Sequence, residues 1–515
     1  MSASLDVVGA PESGRHVDRA GWIVFAVVLI ATALAAVAAI IWRLPAVFFF
    51  VLPGNLALAW VFRAPVVGFY GVFAASLLIP VQPQALSDSI TDLVPFFANL
   101  SDGALGITPA EILIGITFIG LLAMDRTRIV SQPAGPLVRP YVLFGLVVLI
   151  GELNGLTHGG NFKLSLWELR PQAYGIAMFA LGTLLIRNRG QLKVLLAILL
   201  VAETYKGALG IFRYYVTLDR QVLGAVAIQP HEESYLLGLF VVVVVIGLIW
   251  YRKPLTFFLA FVSPIIIASI VINHRRAATG ALGLEIVAVF VLAYLAEPRY
   301  RKQLMAVGTV LIIAGLAFLA AFWNQKYGFA GELVRPIRSI FDPSSRDLSS
   351  DMYRIAESAN LKATFRLSPI FGIGFGHPYY IFYPQSGVAD YDPLWNIIPH
   401  NTVLWIPMRM GILGVISFWG LISAAIVEAI WAVRNIQDKF VRGAVIFCIS
   451  ATLGELFYGY YDVGLENYRN LIVLGVLLAV INRAQFIAED PPKPARQKGA
   501  IVEIVKPAIA HRLES

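Results

Sequence analysis

The sequence predicts an all-α polytopic membrane protein with about 12–14 transmembrane helices and one large external loop. Of its 515 residues, 58% are hydrophobic and only 14% are charged, whereas soluble domains carry roughly 25% charged residues. Runs of about 20 apolar residues, the length that crosses a bilayer as a helix, recur from end to end. Between these runs, only residues 324–400 form a long hydrophilic segment.

Taking each apolar run as one helix predicts eleven spans within residues 21–323 and three within 401–483. In order they are 21–42, 44–62, 64–82, 107–124, 140–156, 171–187, 192–214, 234–251, 254–273, 277–296, 303–323, 402–433, 441–459 and 468–482. Residues 1–20 lack the apolar core and cleavage site of a secretory signal, so we expect a retained N-terminal tail. Residues 484–515, rich in Pro, Lys and Glu, are predicted to be a disordered tail.

Basic residues fill alternate connections between the predicted spans, for example at 126–139, 252–253 and 299–302. The positive-inside rule makes that face cytoplasmic, with both termini on it and the 324–400 loop on the external face. The external face nevertheless receives several basic residues outside that loop: Arg170, Arg213, Arg220, Arg275 and Arg276. Because basic residues on this side cost insertion energy, they indicate an anionic partner.

Composition also excludes several classes of site. The net charge of +8 sits in short loops between spans, as membrane orientation requires, so it does not indicate nucleic-acid binding. Cys448, the single cysteine, lies in an apolar run, which excludes disulfides and thiolate metal sites. No metal site and no cofactor are predicted.

The turn His274-Arg275-Arg276 lies between two strongly apolar runs. Its side chains could simply extend to the lipid headgroups. Alternatively, the paired guanidinium groups could bind a phosphate bidentately at the membrane surface. Arg220, in the preceding external loop, is then either a second phosphate ligand or a solvated loop residue.

Titratable residues also lie at the start of the eighth predicted span and within the seventh. Glu232 and Glu233 open the eighth span, where acids complement the helix dipole and cap the first turn, and the role of the adjacent His231 stays open. No partner histidine lies at helical spacing, so a metal site is not indicated. Within the seventh span, Glu203 and Lys206 lie three residues apart and are expected to neutralise each other, although Lys206 could instead face an external cavity.

The external loop contains two features that could shape a site. Arg354 and Glu357, with Tyr353, fall on a predicted amphipathic helix over 351–365. A glycine run follows, formed by Gly372, Gly374 and Gly376. It lacks the preceding strand, the helix and the downstream acid of a dinucleotide fold, so nucleotide binding is rejected. The glycines are expected to let the backbone turn sharply against the membrane surface.

The loop ends in Pro399-His400-Asn401-Thr402, directly before an apolar span. Asn401 or Thr402 could cap the helix, with His400 incidental. His400 could instead be a proton acceptor at neutral pH, placed where a lipid-borne substrate arrives. The spacing alone does not separate these alternatives.

Three motifs in order resemble the signature of the O-antigen ligase and polymerase family, bacterial membrane enzymes of surface polysaccharide assembly. They are F-G-I-G-F-G at 371–376, P-H-N at 399–401 and G-I-L-G at 411–414. The turn at 276–278 is similar to the family's serine-arginine-small-residue turn, except that Arg275 replaces the serine. Arg220 resembles the family's other external arginine, but Gln229-Pro230-His231-Glu232 stands where Asn-Pro-Asn is usual.

The resemblance implies a C-type membrane glycosyltransferase fold in the bacterial cytoplasmic (inner) membrane. The donor would be a glycan on undecaprenyl pyrophosphate, and the acceptor a second glycan or a lipid, with other polysaccharide assembly proteins as further partners. His400 would activate the acceptor, and Arg220 with Arg276 or Arg275 would hold the pyrophosphate, without a metal. Two alternatives remain from the residues themselves, namely a transporter or flippase for lipid-linked or anionic solutes and a non-catalytic assembly subunit.

Overall fold

The computed structural model describes residues 60–81, 88–99, 106–124, 133–219, 228–326, 328–385 and 394–489. Every regular element in these ranges is helical, so the predicted all-α class is confirmed. The predicted span 21–42, almost all of 44–62 and the predicted tail 1–20 lie outside the described residues. Residues 490–515 of the predicted C-terminal tail also lie outside them.

The described α-helices are numbered here in chain order. They are α1 (Pro65–Leu78), α2 (Ile90–Leu93), α3 (Pro109–Met124), α4 (Val138–Thr157), α5 (Phe162–Leu185), α6 (Arg189–Phe212), α7 (Glu233–Trp250), α8 (Pro254–Ile272), α9 (Arg276–Ala296), α10 (Arg301–Phe322), α11 (Gly328–Phe341), α12 (Ser345–Leu367), α13 (Thr402–Asn435), α14 (Lys439–Tyr461) and α15 (Tyr468–Glu489). Each span predicted from residue 64 onward coincides with one of them. Helices α11 and α12 lie in the predicted external loop.

In the part of the chain that the structure describes, nine helices are long and apolar enough to cross a membrane. They are α4, α6 to α10 and α13 to α15, judged by length and composition. Helices α1 and α3 are apolar but shorter. These findings support a multi-pass membrane protein, as the hydropathy of the sequence predicts.

Helix α5 begins at Phe162, nine residues before the predicted span 171–187, so the predicted start of this span is wrong. The Asn161 side chain accepts hydrogen bonds from the first backbone N–H groups of the helix and fixes its start. Hydropathy missed this first part because it carries Glu168 and Arg170, which are neutralised by ion pairs within the protein. At the other end of the chain, α15 continues to Glu489, so residues 484–489 of the predicted disordered tail are helical.

Helix α15 forms the centre of the membrane region and is buried along nearly its whole length. It packs against α5 and α14, while α9 packs against α14 and α4 against α13. Small residues permit the closest of these approaches, since a Cβ on Gly475 would lie 2.4 Å from the Gly175 carbonyl oxygen. Helix α10 contrasts with α15, because none of its residues is buried.

Helix α13 is kinked in its N-terminal part, where Gly411 adopts a φ of 60°. The kink frees backbone groups, which must find other partners in an apolar environment. The Met408 carbonyl accepts a 2.9 Å hydrogen bond from the Ile373 N–H, and the Ile412 N–H donates to the Pro369 carbonyl at 2.8 Å. The glycine-run segment of the loop therefore docks on the kink of α13.

The predicted loop helix over 351–365 exists but is longer, because α12 starts at Ser345. Ser344 and Asp347 form a reciprocal capping box, with the Ser344 hydroxyl oxygen accepting from the Asp347 N–H. This cap fixes the earlier start. The loop thus carries α11 and α12, and the inner face of α12 lies against the beginning of α13.

Candidate active site

His400 is held between α12 and the start of α13 by a buried carboxylate. The Glu357 side chain accepts a 2.9 Å hydrogen bond from the His400 backbone N–H, and its other oxygen lies 3.2 Å from His400 Nδ1. The Tyr353 hydroxyl donates to the same carboxylate at 3.2 Å, and its ring meets the His400 ring edge-on with 5.5 Å between centroids. These contacts leave Nε2 as the imidazole nitrogen able to meet a substrate.

The protonation of His400 is set by two opposing effects. Burial disfavours the imidazolium, but the hydrogen bond and charge of Glu357 outweigh it, so the pKa of His400 is raised above its ordinary value. The side chain remains 26% exposed, whereas Glu357 is fully buried. The result is an accessible imidazole whose orientation is fixed by an inaccessible acid, which is the arrangement that general base catalysis requires.

Asn401 caps α13, as one of the two alternatives for this motif predicts. Its side-chain oxygen accepts a 3.0 Å hydrogen bond from the Leu404 N–H. Its amide nitrogen also donates to the Ser358 hydroxyl at 3.4 Å, which ties α12 to α13. Capping by Asn401 and the held position of His400 therefore occur together, so the two alternatives posed by the motif do not exclude each other.

An acid that the sequence did not single out, Asp462, lies beside His400. It follows the last residue of α14 and is buried, with His231 Nδ1 3.4 Å from its Oδ1 atom. Burial favours the neutral carboxyl, but the charge and hydrogen bond of His231 outweigh it. His400 and Arg354 act in the same direction, so the pKa of Asp462 lies well below its usual range. Asp462 thus contacts His231 directly and is also influenced by the charges of His400 and Arg354.

Arg354 projects from the same face of α12 as Glu357, three residues earlier. Its side chain is half-buried, and its charge acts on both His400 and Asp462. Its guanidinium makes no hydrogen bond to any residue in the described ranges. Arg354 therefore provides a cation beside the imidazole with its donors available to a ligand.

The arginine turn before α9 binds the two loop helices. The Arg276 guanidinium makes a bidentate pair with Asp351, with distances of 2.5 Å and 3.2 Å, and His274 Nδ1 lies 2.9 Å from Glu332 of α11. A bidentate carboxylate pair is the geometry that a guanidinium also uses for phosphate. The turn borders a small cavity of about 30 Å³, whose lining includes His274, Arg275 and Arg276.

Arg275 and Arg276 point to different surroundings. Arg275 precedes the first residue of α9, and its charge acts on the Tyr458 hydroxyl, one turn before Asp462. Arg276 faces the acids of α12 and is 21% exposed. Arg220, the third arginine assigned to pyrophosphate by the resemblance, lies outside the described residues.

Two other basic residues of the predicted external face have partners inside the protein. Arg213 is fully buried and pairs with Asp88 at 2.8 Å and with Asp92. Arg170 pairs with Glu111 at 3.0 Å. These two charges are therefore neutralised by the fold and do not require an external anion.

The acids at the start of α7 form a buried ion network instead of capping the helix. Glu232 makes no capping hydrogen bond, and Arg469 of α15 pairs with Glu233 at 2.7 Å and Glu232 at 3.2 Å. Lys206 is fully buried 3.7 Å from Glu233. The expected pairing of Lys206 with Glu203 is therefore wrong, as is a position facing an external cavity. Arg469, an ionisable residue within an apolar run, was the missed signal.

The three glycines of the run adopt the left-handed conformations expected of them, with φ of 73° at Gly372 and 78° at Gly374 and Gly376. They turn against other helices, however, and not against the membrane surface. A Cβ on Gly374 would lie 2.3 Å from the Gly155 Cα atom in α4. Only glycine permits this approach of two backbones.

A buried ion pair supports the glycine run from inside. Arg409 Nε lies 2.5 Å from Glu168 Oε1, and both side chains are fully buried. Arg409 also donates to the carbonyl oxygens of Gly374 at 3.1 Å, His377 at 2.5 Å and Ile397 at 3.1 Å. Arg409 thereby fixes the segment that leads into His400. A charged residue inside the predicted span 402–433 was the available signal.

The assembled site combines an accessible imidazole, a buried orienting acid and neighbouring guanidinium groups. Such a set can accept a proton from a hydroxyl and stabilise negative charge on a phosphate ester. In the part of the chain with described coordinates, no group of three or more His, Cys, Asp or Glu side chains is placed to hold a metal ion.

Comparison with known proteins identifies the region that contains this site. Residues 264–419 match the family described as O-antigen ligase, which confirms the resemblance over that segment. The segment runs from α8 into α13 and includes the arginine turn, both loop helices, the glycine run and His400. A protein of Rickettsia felis described as "Putative polysaccharide ligase" is 30% identical over 106 residues. That match covers 20% of this chain and 23% of the relative.

Proposed function

We propose that this chain is a membrane glycosyltransferase of the O-antigen ligase kind, acting in polysaccharide assembly. The observation that carries the proposal is the pair formed by His400 and Glu357, inside the segment that matches this family. The donor would be a glycan on undecaprenyl pyrophosphate at the external face of the cytoplasmic membrane, and the acceptor a hydroxyl of a second glycan or of a lipid.

In the proposed reaction, His400 Nε2 removes the proton of the acceptor hydroxyl as its oxygen forms a bond to the anomeric carbon of the donor. The bond from that carbon to the pyrophosphate oxygen breaks, and the leaving pyrophosphate keeps the electron pair. Glu357 holds Nδ1 and stabilises the imidazolium that forms. The raised pKa of His400 strengthens the base near neutral pH.

The leaving pyrophosphate gains negative charge, so fixed cations stabilise the transition state. We assign this role to Arg276 or Arg275 with Arg220, and add Arg354 because its charge acts directly at His400. The bidentate contact of Arg276 with Asp351 has the geometry needed for phosphate oxygens. Because the Asp351 carboxylate already occupies the Arg276 guanidinium, phosphate would have to displace Asp351.

The remaining residues would position this machinery. Asn401 fixes the first turn of α13, and the glycine run sets the path of the chain into His400. His231 would share Asp462 with the imidazole and contact the acceptor or the headgroup. Lys206 would act at a distance through the ion network of Glu233, without touching substrate.

A cellular experiment tests the proposal. His400→Ala should abolish the polymer or ligated glycan of the cell envelope while the amount of membrane-inserted protein is unchanged. His158→Ala is the matched control, because His158 is exposed at the end of α4 and hydrogen-bonds only to nearby groups of that helix. Normal glycan from the His400 variant would exclude this function.

A further inference from the structure

Helix α11 turns its charged face toward the protein and its apolar face outward. An amphipathic helix on a soluble protein does the opposite. The charged side chains of α11 face the protein, where buried Arg338 donates to the carbonyl oxygens of Gln325 at 2.6 Å and Trp323 at 3.1 Å. Arg335 likewise lies 3.4 Å from Asp347 of α12. Four large apolar side chains of α11 are directed away from the protein, namely Phe329, Ile337, Ile340 and Phe341, whereas Val334 is buried.

These outward side chains continue onto α12. We define the apolar stripe as the following residues, which are 42% to 73% exposed: Phe329, Ile337, Ile340, Phe341, Leu348, Met352 and Ile355. On α12 the members are spaced by four and three residues, so they share one face of the helix. Tyr353, Arg354 and Glu357, which face the His400 site, lie on the opposite side.

The stripe is continuous with the unburied surface of a candidate membrane span. Helix α10, a candidate membrane span with no buried residue, ends at Phe322, and α11 begins at Gly328. Trp323 between them packs against Phe341 of the stripe, with 6.0 Å between ring centroids. Tryptophan at the end of a membrane span is typical of the interface between the acyl chains and the headgroups.

The outward face of α12 changes character along its length. Beyond Ile355, the next exposed positions on this face are Lys362 and Arg366. An apolar first half and a basic second half match a helix that enters the leaflet at its N-terminal end and meets the phosphate headgroups at its C-terminal end.

We infer that α11 and the first half of α12 are embedded by their apolar stripe in the bilayer leaflet on the loop side of the membrane. The occupant of this surface is phospholipid. A helix with its side chains is about 10 Å across, so the inner face of α12 places Glu357 about one helix diameter from the lipid. If the proposed function holds, a phosphate carried by a lipid would arrive level with His400.

Site-directed fluorescence in bilayers tests this inference without any measurement of activity. The full chain carries Cys448→Ala, which removes its single cysteine, and receives one new cysteine labelled with an environment-sensitive dye. Ile340→Cys and Met352→Cys report on the stripe, and Lys362→Cys is the matched control at an exposed polar position of α12. Each protein is reconstituted in vesicles of phosphatidylethanolamine and phosphatidylglycerol.

Acyl-chain-brominated lipids should remove most of the emission from labels at 340 and 352, and aqueous iodide should have little effect on them. The label at 362 should show the opposite pattern. Iodide quenching of the stripe labels without quenching by brominated lipid would overturn the inference. Protection from both quenchers would also overturn it, because the stripe would then be covered by protein. Because catalysis is not measured, these outcomes are independent of the proposed reaction.

Discussion

Two arginines flank the candidate active site, and their surroundings differ. Arg409 of α13 is fully buried and pairs with Glu168 and with three backbone carbonyls. Arg276 is 21% exposed at the start of α9 and pairs with Asp351, which is 39% exposed. The difference separates a guanidinium used to build the scaffold from one that a ligand could recruit, because only the second can exchange partners without leaving a buried charge.

The largest effect is expected when the buried pair is broken. Arg409→Met leaves Glu168 as an uncompensated charge in the protein interior, which costs about 3–5 kcal/mol. We expect loss of most folded protein, measured by thermal unfolding and by the monodisperse yield in detergent. Arg366→Met, at an exposed arginine of α12, is the control and should behave as the unmodified chain. A normal melting temperature for the Arg409 variant would show that this pair does not support the glycine run.

Replacing the partly exposed Arg276 should give the reverse result. Arg276→Ala should change the unfolding free energy by only about 0–1 kcal/mol. Product formation should nevertheless fall by about 100-fold, as when one donor to a developing anion is removed. Both quantities are measured on the same purified sample.

Arg335→Ala is the matched control for that measurement. Like Arg276, Arg335 pairs with an acid of α12, in this case Asp347, but it is not assigned to phosphate. Equal losses of activity in the two variants would indicate that Arg276 matters only for its salt bridge to α12, as Arg335 does. The assignment of Arg276 to pyrophosphate would then be wrong.

A smaller, pH-dependent effect is expected at Glu357. Glu357→Gln keeps the shape of the side chain but removes the charge that raises the pKa of His400. The base acts when neutral, so the acidic limb of the kcat profile should move to lower pH. Activity at neutral pH should fall about tenfold as the imidazolium loses its partner. An unshifted limb would show that Glu357 does not control the imidazole.

Glu357→Gln should also change how the free energy of unfolding depends on pH. Because the folded pKa of His400 is raised, the pair contributes stability that is fully present below the ordinary histidine pKa of about 6.5. That contribution is lost as pH rises through the raised value. The stability gap between the unmodified chain and the Gln variant should therefore be wider at acidic than at alkaline pH.

The smallest effect is expected when Asp351 is replaced, because its carboxylate would compete with the donor phosphate for Arg276. Asp351→Asn weakens the intramolecular partner of Arg276, so the KM for the lipid-linked donor should fall by about threefold, or ~0.7 kcal/mol, with kcat little changed. Steady-state kinetics in detergent or nanodiscs measures this. A raised KM would indicate that Asp351 positions Arg276 for the donor and does not compete with it.

Much of the fold was predictable, because a membrane helix is encoded locally by about 20 apolar residues. The first nine residues of α5 were missed because the charges of this part are neutralised by distant partners, Glu168 by Arg409 and Arg170 by Glu111. The site was less predictable. His400 and Arg276 were found through resemblance and spacing, whereas Asp462 beside His231 joins segments more than two hundred residues apart, which no local pattern shows.

Transfer of a glycan from a lipid pyrophosphate by this chain can be measured directly. The direct measurement is reconstitution of the purified full chain with a defined polyprenyl-pyrophosphate glycan, offering either a second lipid-linked glycan or a lipid acceptor. We expect a new glycosidic product from the unmodified chain, with one polyprenyl pyrophosphate released per bond formed, and neither from the His400→Ala variant. The preferred acceptor would distinguish a polymerase from a ligase. Movement of the intact donor across the bilayer, without product or release, would contradict glycosyl transfer and identify a transporter.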